Sequence, residues 1–102
     1  MTGLSNPSQA TVNYASGGYA GANGNDRQIA VGFKCDLVVV FTIGGVGAMW
    51  ICKSPTWSAG ITATCSVQKT DVLLHATDGF VVDQLNANLL GTDYFYEAFG
   101  SP

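Results

Sequence analysis

A run of apolar and β-branched residues, Leu37-Val38-Val39-Val40-Phe41-Thr42-Ile43, lies in the first half of the chain. Valine, isoleucine, threonine and phenylalanine favour extended backbone, because their branched or aromatic side chains pack well on a pleated surface. The run lacks a regular polar alternation, which is typical of a strand that is buried on both faces. It therefore predicts a central strand over residues 37–43.

No charged residue occurs between Leu37 and Cys52, so this segment could also be interpreted as a membrane helix. It falls short of the ~20 residues that a helix needs to span a bilayer. Glycines at positions 44, 45 and 47 also interrupt it. We therefore expect a buried hairpin, in which a turn at Gly44-Gly45 joins the first strand to a second one over residues 48–52.

Outside this hairpin, short strand signals recur at the spacing typical of all-β domains. Residues 61–67 alternate apolar with polar side chains, as a half-buried strand does, and the Asp78-Gly79 pair predicts a tight turn between two further strands. Residues 16–26 are rich in glycine and asparagine, which indicates a loop. Residues 83–91 are also interpreted as a loop, because two asparagines and a terminal glycine disfavour a helix. The remaining predicted strands span residues 11–14, 28–31, 72–76, 80–82 and 94–99.

Seven or eight short strands of this kind predict an all-β fold, an antiparallel β-sandwich of jelly-roll-like type. A chain of 102 residues normally builds a single core. Residues 1–10 are polar and include Pro7, so we expect an N-terminal arm followed by one domain over residues 11–102. The arm lacks the basic and apolar stretches of a signal peptide, and none is expected.

Charged residues make up 11% of the chain, against ~25% in typical soluble domains. A surface this poor in charge predicts a protein that packs against other subunits. The net charge is −3, and the four cationic side chains are scattered, so we expect no nucleic-acid partner. These cations are Arg27, Lys34, Lys53 and Lys69.

The three cysteines, Cys35, Cys52 and Cys65, form no C-x-x-C pair. Zinc-binding and redox motifs therefore have no support. We expect buried, reduced thiols in a chain that is made in a reducing cytoplasm. A disulfide is the alternative, although the odd count leaves one thiol over.

Catalytic and metal-binding chemistry has little support in the sequence. The one histidine, His75, could act as a base only with Cys65 as nucleophile and Asp78 as the orienting group, and no local motif supports that combination. We therefore expect no enzymatic activity and no cofactor. Oxygen atoms of Asn23, Asn25 and Asp26 would suit calcium. Turn formation explains the same residues, so no metal site is predicted.

The aromatic side chains are better candidates for binding, because amphipathic rings are favoured at protein interfaces and on sugar-binding surfaces. Trp57 lies in a predicted loop over residues 54–60, where it either anchors a partner or caps the end of the sandwich. Trp50, inside an apolar strand, is expected in the core. The candidate partner-binding residues are Trp57, Tyr19, Tyr14 and, in the arm, Leu4.

Several short motifs together resemble a small β-sandwich domain that recurs in virion proteins of tailed bacteriophages, of the capsid decoration (cement) or tail-fibre type. In that group a Gly-Phe-x-Pro-Asp turn opens a hydrophobic strand, and a tyrosine-rich final strand follows an Asp-Gly-Phe strand. Here Cys35 stands where proline is usual. The matching segments are Asn23-Gly24, Arg27-Gln28-Ile29, Gly32-Phe33, Asp36-Leu37-Val38, Trp50, Asp78-Gly79-Phe80 and Tyr94-Phe95-Tyr96-Glu97-Ala98-Phe99.

The resemblance implies a structural or adhesive protein of the virion. As a capsid decoration protein, the chain would be made in the host cytoplasm and would bind the major capsid protein or other virion subunits, as a homotrimer on the capsid surface. The alternative is a receptor-binding module of a tail or head fibre. In that case Tyr19 and Trp57, with Asn23, Asn25 and Asp26, would bind host-surface carbohydrate.

Overall fold

The computed structural model describes residues 12–43, 48–56, 58–61, 66–69, 71–83 and 87–101. In these residues the fold is all-β, with no helix and with two antiparallel sheets. The predicted arm, residues 1–10, lies outside the described residues. The strands are β1 Asn13–Ala20, β2 Arg27–Ile29, β3 Leu37–Thr42, β4 Met49–Cys52, β5 Ser58–Ile61, β6 Ser66–Lys69, β7 Val72–Leu74, β8 Phe80–Val82 and β9 Asp93–Gly100.

The large sheet has six strands in the order β1-β9-β3-β4-β5-β6, and the small sheet has three in the order β2-β8-β7. The last strand, β9, lies between β1 and β3, and it pairs antiparallel with both. The predicted central hairpin is confirmed, because β3 pairs antiparallel with β4. Its turn at Gly44-Gly45 lies outside the described residues. The hairpin of β7 and β8 around Asp78-Gly79 is confirmed as well.

The core lies where residues of both sheets meet, an arrangement that fits a β-sandwich. In β3, Val38 and Val40 are fully buried, whereas Leu37, Val39 and Phe41 are only half-buried. The expectation that this strand is buried on both faces is therefore correct for one face only. Further buried apolar residues are Ile29, Cys35, Trp50, Cys52, Val72, Phe80, Val82, Ala87, Tyr94 and Ala98.

The predicted loop over residues 16–26 is wrong for its first part, since β1 continues to Ala20. The reason is a pairing of glycines with aromatic residues on β9. Gly17 lies opposite Tyr96 and Gly18 opposite Phe95. A Cβ atom on Gly17 would approach the Tyr96 hydroxyl to 2.8 Å. Glycine thus leaves room for the neighbouring ring, and the strand is held by its partner rather than by its own propensity.

The single strand predicted over residues 61–67 is also wrong, because this region contains the end of β5 and the beginning of β6. The two strands pair antiparallel, with Ser58 opposite Lys69 and Ile61 opposite Ser66. Residues 62–65, which connect them, lie outside the described residues. An alternating pattern does not mark where a chain reverses direction, because inward and outward positions continue to alternate after the reversal.

Gly79 provides a test of how tightly the β7–β8 hairpin packs on the end of β2. Its φ is +74°, and a Cβ atom there would lie 1.9 Å from the carbonyl oxygen of Ile29. Gly91 also has a positive φ, of +93°, but a Cβ atom there would meet nothing within 4 Å. Gly91→Ala therefore isolates the cost of backbone strain, about 1–2 kcal/mol.

We expect Gly79→Ala to lower the free energy of unfolding clearly more than Gly91→Ala, since the hairpin must also move away from Ile29. Urea unfolding monitored by tryptophan fluorescence measures both variants against the wild type. Equal losses in the two variants would show that the close approach to Ile29 does not constrain the hairpin.

Candidate partner-binding surface

The large sheet has a second, mostly apolar face that points away from the core, which we call the outer face. Residues on it alternate with the buried ones along each strand. The pairing register brings Leu37 beside Phe99, Val39 beside Glu97 and Phe41 beside Phe95. The described members of the outer face on β1, β9, β3 and β4 are Tyr14, Ser16, Gly18, Ala20, Leu37, Val39, Phe41, Met49, Ile51, Asp93, Phe95, Glu97 and Phe99.

Side chains of the outer face are partly exposed and organised by ring contacts. Tyr14 is 52% exposed and Met49 is 38% exposed. The rings of Tyr14 and Phe99 lie 5.2 Å apart between centroids, and those of Phe41 and Phe95 lie 5.9 Å apart. Aromatic pairs at such distances stabilise a fixed arrangement. The outer face is therefore a preformed apolar surface rather than a set of isolated exposed residues.

Two described members of the outer face are charged: Asp93 lies at its rim, at the beginning of β9, and Glu97 lies near its middle. The Tyr14 hydroxyl donates a hydrogen bond of 2.7 Å to the Glu97 carboxylate. Tyr14 lies opposite Phe99 and Ser16 lies opposite Glu97, so this hydrogen bond runs diagonally from the edge strand β1 to β9. A carboxylate that already accepts a hydrogen bond is less costly to bring into an apolar interface than an isolated one. The charge therefore does not prevent this face from packing against another protein.

Tyr14 is thus placed where the sequence predicts, on an accessible surface. The ring of Tyr19 is half-buried and stacks on Tyr94 at 5.0 Å, and its hydroxyl donates to the carbonyl oxygen of Ala87 at 2.7 Å. Burial raises the pKa of this hydroxyl. Tyr19 therefore packs against the core with part of its surface, and its role as a partner-binding or sugar-stacking ring stays a prediction. Trp57 and Leu4 lie outside the described residues.

The loop over residues 21–26 is fixed to the turn at residues 87–92 by Asn88, which is fully buried. The Asn88 side chain accepts hydrogen bonds from the Ala22 amide at 3.0 Å and from Arg27 at 2.9 Å, and it donates to the carbonyl oxygen of Gly24 at 3.0 Å. Sequence reasoning missed this residue. An asparagine in a predicted loop carries no signal of burial, because its partners are more than sixty positions away.

The candidate ligand residues Asn23, Asn25 and Asp26 lie in the loop that Asn88 holds in place. Asn23 has a positive φ of +53°, and its side-chain oxygen accepts a hydrogen bond from the Leu90 amide at 2.8 Å. Asp26 has a φ of +56°. Asn23 therefore serves the loop itself, whereas Asn25 and Asp26 are exposed. Among the described residues, no group of three His, Cys, Asp or Glu side chains could hold a metal ion.

A shallow cavity of about 470 Å³ lies over the small sheet, on the opposite side of the molecule from the outer face. Its floor is formed by Gln28, Val81 and Leu73, which are neighbours across β2, β8 and β7. Asp26 lies at one end and His75 at the other, whereas Asn25 lines a neighbouring cavity of about 340 Å³. Of the two aromatic rings predicted to bind sugar, Tyr19 does not line this cavity. Among the described residues, the cavity therefore offers polar groups and no tyrosine, tryptophan or phenylalanine ring, and Trp57 lies outside those residues.

His75 and Asp78, two members of the catalytic combination that the sequence does not support, lie in the same turn, where both hydrogen-bond to backbone amides. The carboxylate of Asp78 accepts hydrogen bonds from the amides of Val31 at 2.9 Å and Gly32 at 2.8 Å. The ring nitrogen Nδ1 of His75 accepts from the amides of Thr77 and Asp78, at 3.2 Å each. Both side chains stabilise the loop backbone. Cys65, the third member of that combination, lies outside the described residues.

The described thiols fit the interpretation of buried, reduced cysteines. Cys35 and Cys52 are outside any disulfide and almost completely buried. Burial raises the pKa of both thiols, which keeps them protonated and unreactive. Cys65 lies outside the described residues.

Trp50 is in the core as predicted, and its ring N–H donates to the buried Asp71 carboxylate at 3.1 Å.

Comparison with models of known protein families, with characterised proteins and with solved structures finds no match for this chain. Within the described residues, no helix has the length and apolar character needed to cross a membrane.

The buried Asn88 side chain gives a direct test of the loop structure. Asn88→Ala leaves the Ala22 amide, the Gly24 carbonyl and one Arg27 N–H without their partner, so we expect a loss of about 2–3 kcal/mol in the free energy of unfolding. The exposed Asn25 in the same loop is the matched control, and Asn25→Ala should change it by less than about 0.5 kcal/mol. Urea unfolding measures both. Similar effects at the two positions would contradict the role of Asn88.

Asp78 makes stability depend on pH in the acid range. Backbone hydrogen bonds from Val31 and Gly32 hold the pKa of its carboxyl group below the ordinary value of 3.8. The stabilisation is complete above that value and is lost as pH falls through the lower folded-state pKa. We expect Asp78→Asn, which can still accept a hydrogen bond but does not titrate, to flatten the acid limb of a stability–pH curve. Identical acid limbs for variant and wild type would contradict this assignment.

Proposed function

We propose that this protein is a structural component of a tailed-bacteriophage virion, a capsid decoration or cement protein that acts by binding and not by catalysis. The observation that carries the proposal is the mostly apolar outer face, where Asp93 lies at the rim and the one charge near the middle, Glu97, accepts a hydrogen bond from Tyr14. A protein that works alone in solution rarely presents such a surface. The scarcity of charge over the whole chain, 11%, supports the same conclusion.

The physical mechanism is the burial of the outer face against the shell. The face crosses four neighbouring strands, which at ~4.8 Å per strand gives a width of about 20 Å. Burial of apolar area contributes ~25 cal/mol per Å², but a single association loses about 4–15 kcal/mol in translational and rotational freedom. One contact of this size is weak. Many copies, or a homo-oligomer bound at several points, would make the attachment strong.

Other features support parts of the proposal. The chain leaves the large sheet at β2 and again at β7–β8 and returns with β9 between β1 and β3, which supports a jelly-roll-like sandwich. The reduced thiols Cys35 and Cys52 support synthesis in the host cytoplasm. The proposed partners are the major capsid protein or other virion subunits, and the proposed location is the capsid surface. We prefer this function to the carbohydrate-binding alternative, because Tyr19 packs on the core.

Immunogold labelling of purified virions, with an antibody against this chain, tests the proposal. The virions are purified from cells that carry the gene for this protein. Regular labelling over the head is the expected result. Labelling only at the tail end would replace the decoration function with a receptor-binding or fibre function. Unlabelled particles, with the chain detected in the cell lysate, would overturn the virion assignment.

Binding of the purified protein to heads that lack it tests the outer face directly. Met49→Lys places a charge on that face, and we expect the affinity to fall about tenfold or more because the ammonium group must be desolvated. Ala30→Lys, at an exposed position beyond β2, adds the same charge elsewhere and should bind as the wild type does. Co-sedimentation with the heads measures all three. Equal losses from both variants would show a general charge effect and not a contact through the outer face.

A further inference from the structure

Four strand edges bound the two sheets in the described part of the chain, and three of them are short or charged. β2 and β7 have three residues each, and β2 begins with Arg27. β6 has four residues and ends with Lys69. Short edges and charged residues prevent sheets from adding further strands. These three edges are therefore poor templates for pairing with another chain.

The fourth edge, β1, has none of these protections. It has eight residues, Asn13–Ala20, with no charge and no proline. Its pairing with β9 is continuous over all eight positions, without a bulge. In an antiparallel pair, alternate residues of an edge strand direct their N–H and C=O groups away from the neighbouring strand. In the described part of the chain no strand lies on that side of β1.

We propose that β1 pairs antiparallel with β1 of a second copy of this protein, so that two large sheets join into one continuous sheet. This inference does not depend on the virion function. A two-fold axis perpendicular to the sheet, passing near Ser16, keeps the two outer faces on the same side. It satisfies the open backbone groups of both copies at once, and it leaves no unpaired β1 edge.

The sequence of β1 is self-complementary in this register. Tyr14 would lie opposite the partner's Gly18, and Ser16 would lie opposite the partner's Ser16. The same combination of glycine with an aromatic residue already operates inside the chain, where Gly18 lies opposite Phe95 and Gly17 opposite Tyr96. A foreign strand would have to supply this complementarity by coincidence. A second copy supplies it by symmetry.

Sedimentation velocity over a wide range of protein concentration, combined with amide hydrogen exchange at the two extremes, tests the proposal. We expect a concentration-dependent species of twice the 10.6 kDa chain mass. Amides of β1 that point away from β9 should gain protection only at the high concentration, whereas β6 amides should not change. A monomer at all concentrations, a three-chain species, or β1 protection that is independent of concentration would each overturn the proposal. The last result would indicate coverage by the chain's own residues.

A pair of variants separates the β1 edge from general charge effects. Ser16→Lys places one ammonium group from each copy near the two-fold axis. Position 16 lies beside Glu97 in the same chain, so the new lysine faces an opposite charge and folding should be preserved. We expect this variant to raise the dissociation constant of the dimer about tenfold. Asn25→Lys, which adds one charge in an exposed loop, should leave the constant unchanged. An equal effect of both variants, or no effect of Ser16→Lys, would overturn the β1–β1 pairing.

Discussion

The antiparallel pairing of β9 with both β1 and β3 holds the large sheet together. β9 lies between β1 and β3, so the large sheet forms only when residues 93–100 have met both residues 13–20 and residues 37–42. β9 also supplies both faces of the sheet. Tyr94 and Ala98 turn into the core, whereas Phe95 and Phe99 turn to the outer face. A change in its register by one residue would exchange the two faces completely.

A buried polar side chain supports this arrangement from outside the sheet. Asn88 fixes the loop between β1 and β2 to the turn that precedes β9, and Arg27 adds a second contact to the same side chain. A buried polar network stabilises a fold only when each of its donors and acceptors has a hydrogen-bond partner. Both connections to β9 and β1 are thereby held in register at one end of the molecule. Asn88 thus links the residues that follow β1 to the turn that precedes β9.

The parts of the fold that follow from local pattern could be predicted, and those set by distant partners could not. The β3 strand and the Asp78-Gly79 turn could be predicted, because their own residues favour a strand and a tight turn. The strand at Gly17-Gly18 could not, because only the rings of β9 opposite explain it. For the candidate site, the exposure of Tyr14 could be predicted but the burial of Tyr19 could not. Two tyrosines five positions apart on one strand face opposite sides of the sheet.

The two surfaces proposed for binding are compatible because they act in perpendicular directions. Pairing through β1 extends the sheet in its own plane, whereas packing of the outer face occurs along the sheet normal. Two copies joined at Ser16 would present one outer face of twice the width, with Tyr14 of each copy near its centre. A single contact that is too weak to persist would then become a double one held by a rigid sheet. The scarcity of charge in this chain is understandable if both surfaces are covered in the assembled state.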